Sequence, residues 1–103
     1  MVVEYIRYSI APEQAAEFEQ AYERAAKVLD GAPECLSYEL AKGVEEPGHY
    51  ILRIEWKSVE EHEQGFRNSP GFREFFAAVR PFFNQIDEMK HYGRTAVASA
   101  STE

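Results

Sequence analysis

The chain has a single cysteine, Cys35, among its 103 residues, so no internal disulfide can form and a reducing compartment, the cytoplasm, is the expected setting. No apolar run reaches membrane-spanning length, and no basic segment leads into an apolar stretch near Met1, so neither an anchor nor a secretory leader is expected. Positive charge is scarce: 11 Lys and Arg stand against 18 Asp and Glu, a net charge of −7. Nucleic-acid binding needs a concentrated basic stripe, so neither nucleic acid nor an anionic membrane is an expected partner. No glycine-rich loop follows a strand-like segment, which argues against a nucleotide cofactor. The histidines His49, His62 and His91 have no short ligand spacing and Cys35 stands alone, so no metal site and no cofactor are read from the sequence. Ligands distant in sequence can still converge in a fold. No serine sits in a nucleophile elbow: Ser58 and Ser69 are placed as helix caps. The length leaves room for one hydrophobic core only.

What is present alternates strand-like and helix-like patterns. Val2 to Ile10 reads as a strand with Ile6, Tyr8 and Ile10 on one face and Val3, Tyr5 and Arg7 on the other. Pro12 suits the first turn of a helix whose apolar stripe is Ala15, Phe18, Tyr22, Ala25 and Leu29; Gly31 and Pro33 stop it. Cys35 to Lys42 and His49 to Lys57 read as two strands joined by the turn residues Gly43 to Gly48. Their expected inner faces are Leu36, Tyr38 and Leu40, and Tyr50, Leu52, Ile54 and Trp56. Ser58 and Glu61 form a capping box for a second helix with Val59, His62 and Phe66 inward. Ser69-Pro70 restarts that helix, and Phe72, Phe75, Phe76, Val79 and Phe83 are expected to line the core. Pro81 kinks or ends it. Asp87 to Arg94 is a fourth strand, with the side taken by His91 undetermined.

The order β-α-β-β-α-β predicts an α+β, ferredoxin-like fold: a four-stranded antiparallel sheet with both helices on one face, in a domain over residues 1–95 followed by a flexible tail over 96–103. The other sheet face would carry Val3, Tyr5, Arg7, Ser37, Glu39, Ile51, Arg53 and Glu55. That mixture fits a solvated face, or a homodimer in which two such faces meet. On the covered side, Tyr8, Tyr22, Tyr38, Tyr50 and His62 put polar tips into an apolar layer of rings. A plain aromatic core and a small-molecule pocket share that composition. If it is a pocket, it would hold a small molecule. His62, Tyr38 and Tyr50 would orient and polarise it, and Trp56, Phe66, Phe76 and Tyr22 would bind it. His62 would be the proton acceptor or oxyanion partner.

The stretch Tyr50-Ile51-Leu52-Arg53-Ile54-Glu55-Trp56-Lys57-Ser58, with Phe66, Ser69, Phe72 and the Pro81 to Tyr92 ending, resembles the antibiotic biosynthesis monooxygenase (ABM) superfamily. The run His62-Glu63-Gln64-Gly65-Phe66-Arg67 with Phe72-Arg73-Glu74-Phe75-Phe76 is similar to a bacterial subgroup associated with truncated haemoglobins. The resemblance implies a dimeric α/β barrel with a pocket in each subunit. It also implies a cofactor-independent monooxygenase acting on a small aromatic or quinone-like substrate, whose phenolate supplies electrons to oxygen. Haem-degrading relatives carry a histidine ligand on the second helix after the break. Here the matching position is Phe76 or Phe75, and their tryptophan before the break is replaced by Phe66 or Gly65, which argues against haem chemistry. A non-catalytic dimeric accessory module for an oxygen- or haem-handling partner is the alternative, and a ligand-free domain with a filled interior is the third reading.

Overall fold

Alternation of large apolar and polar residues, broken only at Ile51, makes His49–Trp56 the best-defined strand, and the rest of the molecule is assembled on it. In a computed structural model, which describes residues 1–99, the elements are β1 (Val2–Ser9), α1 (Ala15–Asp30), β2 (Cys35–Lys42), β3 (His49–Trp56), α2 (Pro70–Val79) and β4 (Ile86–Gly93). The sheet order is β2-β3-β1-β4, and β1–β3, β1–β4 and β2–β3 are all antiparallel. This is the expected ferredoxin-like arrangement, with α1 and α2 packed on each other over one face. Residues 94–99 form no strand or helix and are exposed; of the expected 96–103 tail, residues 100–103 lie outside the described residues.

The core lies between that face and the helices. Tyr50, Leu52, Ile54 and Trp56 of β3 and Phe18, Ala25 and Leu29 of α1 are all almost fully buried. Phe18 makes tilted or edge-on contacts with Tyr8, Tyr22, Tyr50 and Phe82, the geometry that aromatic quadrupoles favour. The β2–β3 turn is tight. A Cβ at Gly48 would sit 2.7 Å from the Ile10 carbonyl oxygen, so only glycine fits beside the end of β1.

Local irregularities move several side chains from their expected places. A bulge between Cys35 and Ser37 puts Cys35 opposite Trp56 and turns Leu36 out, where it is 49% exposed. The segment after Ser58 is capped as expected, with the Glu61 amide donating to Ser58 Oγ at 3.0 Å. It then winds as a π-turn over Glu61–Gly65 and a 3₁₀ turn over Phe66–Asn68. His62 and Phe66 nevertheless both face inward. Ser69 caps α2 by accepting from the Phe72 amide at 3.3 Å, and Pro70 is its first residue. Pro81 coincides with the end of the α-helix: α2 stops at Val79, and Arg80–Gln85 continues as a 3₁₀ helix. Three residues per turn align Val79 with Phe82, so Phe82 enters the core, while Phe83, expected there, is 51% exposed.

On the helix-free face Arg7 pairs with Glu88 and Arg53 with Glu39 within the sheet, and Arg94, just past β4, pairs with Glu55. Tyr5 and Tyr92 meet edge to face between them. No helix among the described residues is long and apolar enough to cross a membrane.

Candidate functional site

The helix-covered side of the sheet holds a cavity of about 420 Å³ between the sheet and the α2 region. Aromatic side chains form most of its wall: Trp56 from β3, Phe66 from the 3₁₀ turn, Phe72, Phe75 and Phe76 from α2, and Tyr22 from α1. Phe76, Phe83 and Met89 line it yet are 36%, 51% and 42% exposed, so they form its rim. The size suits a small ring system, and apolar walls with a few convergent polar groups are the usual character of such sites.

The polar groups cluster at one end. Glu4, on the inner face of β1 and only 2% exposed, faces Ile54 across β3 and His91 across β4 in strand register. Its Oε1 accepts a hydrogen bond from Trp56 Nε1 at 3.0 Å. His62, delivered by the π-turn, stacks flat on Trp56 at 4.3 Å between ring centroids and 10° between planes. Such π-turns are frequent where a helix must aim a functional side chain. His62 Nε2 lies 3.7 Å from Glu4 Oε1, and Nδ1 lies 2.8 Å from His91 Nε2.

Burial sets the protonation of this cluster. It raises the Glu4 carboxyl above the ordinary carboxylate range, against the Trp56 hydrogen bond and the charges of His91 and Arg67, which pull it down. It lowers His62 to about 3, helped by the positive charges of Arg67 and His91. His62 is therefore a neutral imidazole at neutral pH. At the α1 side, the Tyr8 and Tyr22 hydroxyls bond each other at 2.5 Å; burial pushes Tyr8 up to about 12 and Tyr22 well above its usual value, so both stay protonated.

Of the residues expected from sequence, the fold brings five together: His62, Trp56, Phe66, Phe76 and Tyr22 all line this cavity. Tyr38 and Tyr50 do not join them. They border a separate, shallower hollow of about 360 Å³ between α1 and β2–β3, which Tyr22 also reaches. Each has its own acidic partner there: Tyr38 donates to Asp30 at 2.7 Å and Tyr50 to Glu19. The bond to Asp30, with some burial, raises Tyr38, and burial, with the bond to Glu19, raises Tyr50 to about 12. Tyr50 is six residues from Trp56 along β3, about 20 Å in an extended strand, which is why a shared face did not make a shared site. His49 is exposed and pairs with Glu46 at 3.2 Å.

Two members of the cluster were not singled out from the sequence. Glu4 sits in phase with Ile6 and Tyr8, so a charged residue at a core position was the available signal. His91 follows a bulge at Asp87, where Arg7 pairs with Glu88 and Tyr8 with Ile86. Glu4, His62 and His91 are also a conceivable metal set, with donor atoms within 4.8 Å of one another. Their order is that of a chain, however. The two nitrogens of the His62 ring face different partners, and one imidazole gives a single metal ion only one nitrogen.

Known proteins share this fold. The family model for antibiotic biosynthesis monooxygenase matches residues 1–78. The uncharacterised protein YczJ of Bacillus subtilis (strain 168) is 33% identical over 76 residues, 74% of this chain and 80% of that protein. Among solved structures, a conserved protein of Methanosarcina mazei Go1 superposes with a TM-score of 0.76 at 21% identity, over 91% of this chain and 92% of that one. A Bordetella bronchiseptica protein described as a candidate antibiotic biosynthesis monooxygenase gives 0.74 at 24% identity, over 91% and 96%. Rv0793 of Mycobacterium tuberculosis gives 0.75 at 15% identity, over 95% and 98%. At these identities the structural likeness is one of fold.

Proposed function

This chain belongs to the antibiotic biosynthesis monooxygenase family, and on that premise we propose that it oxygenates a small, electron-rich aromatic of phenol or anthrone type in the ring-walled cavity. The observation that carries this reading is the placement of a neutral, buried imidazole and a buried carboxyl at one end of a cavity otherwise built from rings. A phenol docked among Trp56, Phe66 and Phe76 directs its hydroxyl to His62 Nε2, which takes the proton. The desolvated phenolate is the electron donor. Oxygen receives four electrons from the substrate as an activated ring CH₂ becomes C=O, and its second atom leaves as water. No electrons from outside the substrate are needed. The protein supplies orientation, exclusion of water and a proton acceptor. Tyr22 closes the far end of the cavity, and Tyr38 and Tyr50 have no contact with the reacting group in this reading.

Two further proposals accompany it. A second copy covers the helix-free sheet face, where Val3, Tyr5, Ile51 and Tyr92 give an apolar centre and the Arg–Glu pairs a charged rim. The free thiol of Cys35 fits residence in the reducing cytoplasm.

Oxygen consumption with a panel of anthrones, naphthols and hydroquinones tests the main reading. Uptake that depends on the protein and falls about 100-fold in His62→Asn supports it. Tight binding without uptake supports a non-catalytic ligand-binding module instead, and the oxygenase reading then fails.

A further inference from the structure

His62 presents a difficulty as a proton acceptor: buried against Trp56 and near Arg67, it is a poor place for a positive charge. The geometry of its neighbour removes the difficulty. His62 is 4% exposed, whereas His91 is half-buried on β4, an edge strand of the sheet. The two rings stand 4.9 Å apart between centroids, with Nδ1 of His62 and Nε2 of His91 at 2.8 Å. The other nitrogen of His62, Nε2, lies 3.7 Å from Glu4 Oε1, and both residues line the cavity. One ring therefore bridges the interior and the sheet edge through its opposite nitrogens.

We propose that His62 and His91 accept a proton as one unit, with His91 as the positioning residue that receives the charge. A proton arriving from the substrate at His62 Nε2 is matched by departure of the Nδ1 proton to His91 Nε2. His62 changes tautomer and remains neutral throughout. The positive charge comes to rest on His91, which releases a proton to solvent from its own second nitrogen. One proton enters and one leaves, and no other reactant takes part. The charged and titratable groups around the pair are Glu4 from β1 and Arg67 and Glu63 from the segment before α2; the neutral N–H of Trp56 from β3 donates to Glu4. The assignment of the cavity as the reaction site rests on the function proposed above; the relay itself can be read without any substrate.

Histidine side-chain ¹H–¹⁵N spectra of the full chain, recorded from pH 8 to 4.5, test it. At pH 8 the expected state has Nδ1 of His62 protonated and Nε2 bare. As pH falls, His91 takes the proton first and the shared hydrogen bond reverses, so His62 switches to the Nε2-protonated tautomer while staying neutral. In His91→Gln the amide oxygen still accepts from Nδ1, so the starting tautomer persists and the switch is lost. With an active substrate, His91→Gln lowers kcat about 100-fold with KM nearly unchanged. A His62 tautomer that is insensitive to pH, or a His62 ring that protonates before His91, overturns the relay. The wild-type titration decides this even if the variant fails to fold. A tautomer switch without oxygen uptake on any substrate upholds the relay and rejects the oxygenase.

Discussion

Lowering the pH should weaken this fold through one residue, His62, and the size of the effect follows from its burial. In the unfolded chain an imidazole takes up a proton near pH 6.5; in the folded protein His62 does so only near 3. Between those values the unfolded state binds more protons, so stability present above pH 6.5 is lost as pH falls towards 3. At 1.36 kcal/mol per unit, acidification from pH 7.5 to 4.5 removes about 3 kcal/mol, and the complete effect is about 5 kcal/mol. That is a large share of the roughly 5–15 kcal/mol by which domains are stable. Glu4 works with the opposite sign, because its raised carboxyl pKa favours the folded state at low pH and opposes it as pH rises. Subtracting a variant isolates the histidine. Urea unfolding of wild type and His62→Asn, followed by far-UV circular dichroism at both pH values, should show the difference in stability moving by about 3 kcal/mol against the wild type on acidification. A difference that stays constant within about 0.5 kcal/mol would refute the claim that burial keeps His62 neutral.

Other substitutions probe the remaining contacts of the cluster. Glu4→Gln preserves an acceptor for Trp56 Nε1 and removes a buried group whose ionisation burial opposes, so it should raise the melting temperature at pH 8 and leave it nearly unchanged at pH 4. Trp56→Phe takes away the hydrogen bond to Glu4 and the indole surface under His62, and should cost at least about 1–3 kcal/mol by denaturant titration. Tyr8→Phe strands the Tyr22 hydroxyl and Tyr22→Phe strands that of Tyr8; each should cost about 1–3 kcal/mol, and the double variant less than the sum. Light scattering should give the mass of two chains at micromolar concentration, with Tyr5→Asp reducing it to one.

What could be read in the sequence was whatever obeyed a fixed period. The alternation in Tyr50, Leu52, Ile54 and Trp56 and the stripe of Phe18, Tyr22, Ala25 and Leu29 gave faces that the structure reproduces, and the order β-α-β-β-α-β gave the fold class. Periodicity failed where the chain changes its period. Bulges at Leu36 and Asp87 reverse the sense of alternation. The 3₁₀ winding after Val79 exchanges Phe82 for Phe83. The candidate site was partly legible for the same reason. His62, Trp56, Phe66, Phe76 and Tyr22 follow from inward phase, whereas phase says nothing of position along a strand, which separates Tyr38 and Tyr50 from His62. Glu4 escaped because a carboxylate in a strand reads as solvent-facing, and the nearby indole N–H, with the charges of His91 and Arg67, makes its burial tolerable.

The claim on which the rest depends is that the ring-walled cavity beside His62 is where an aromatic molecule binds. Amide and side-chain chemical-shift mapping with 1-naphthol examines it directly. The account predicts the largest shifts at the Trp56 indole N–H, Phe66, Phe76 and the His62 ring, with Tyr38 and Tyr50 little affected. Shifts centred on Tyr38 and Tyr50, or none at millimolar naphthol, would contradict it.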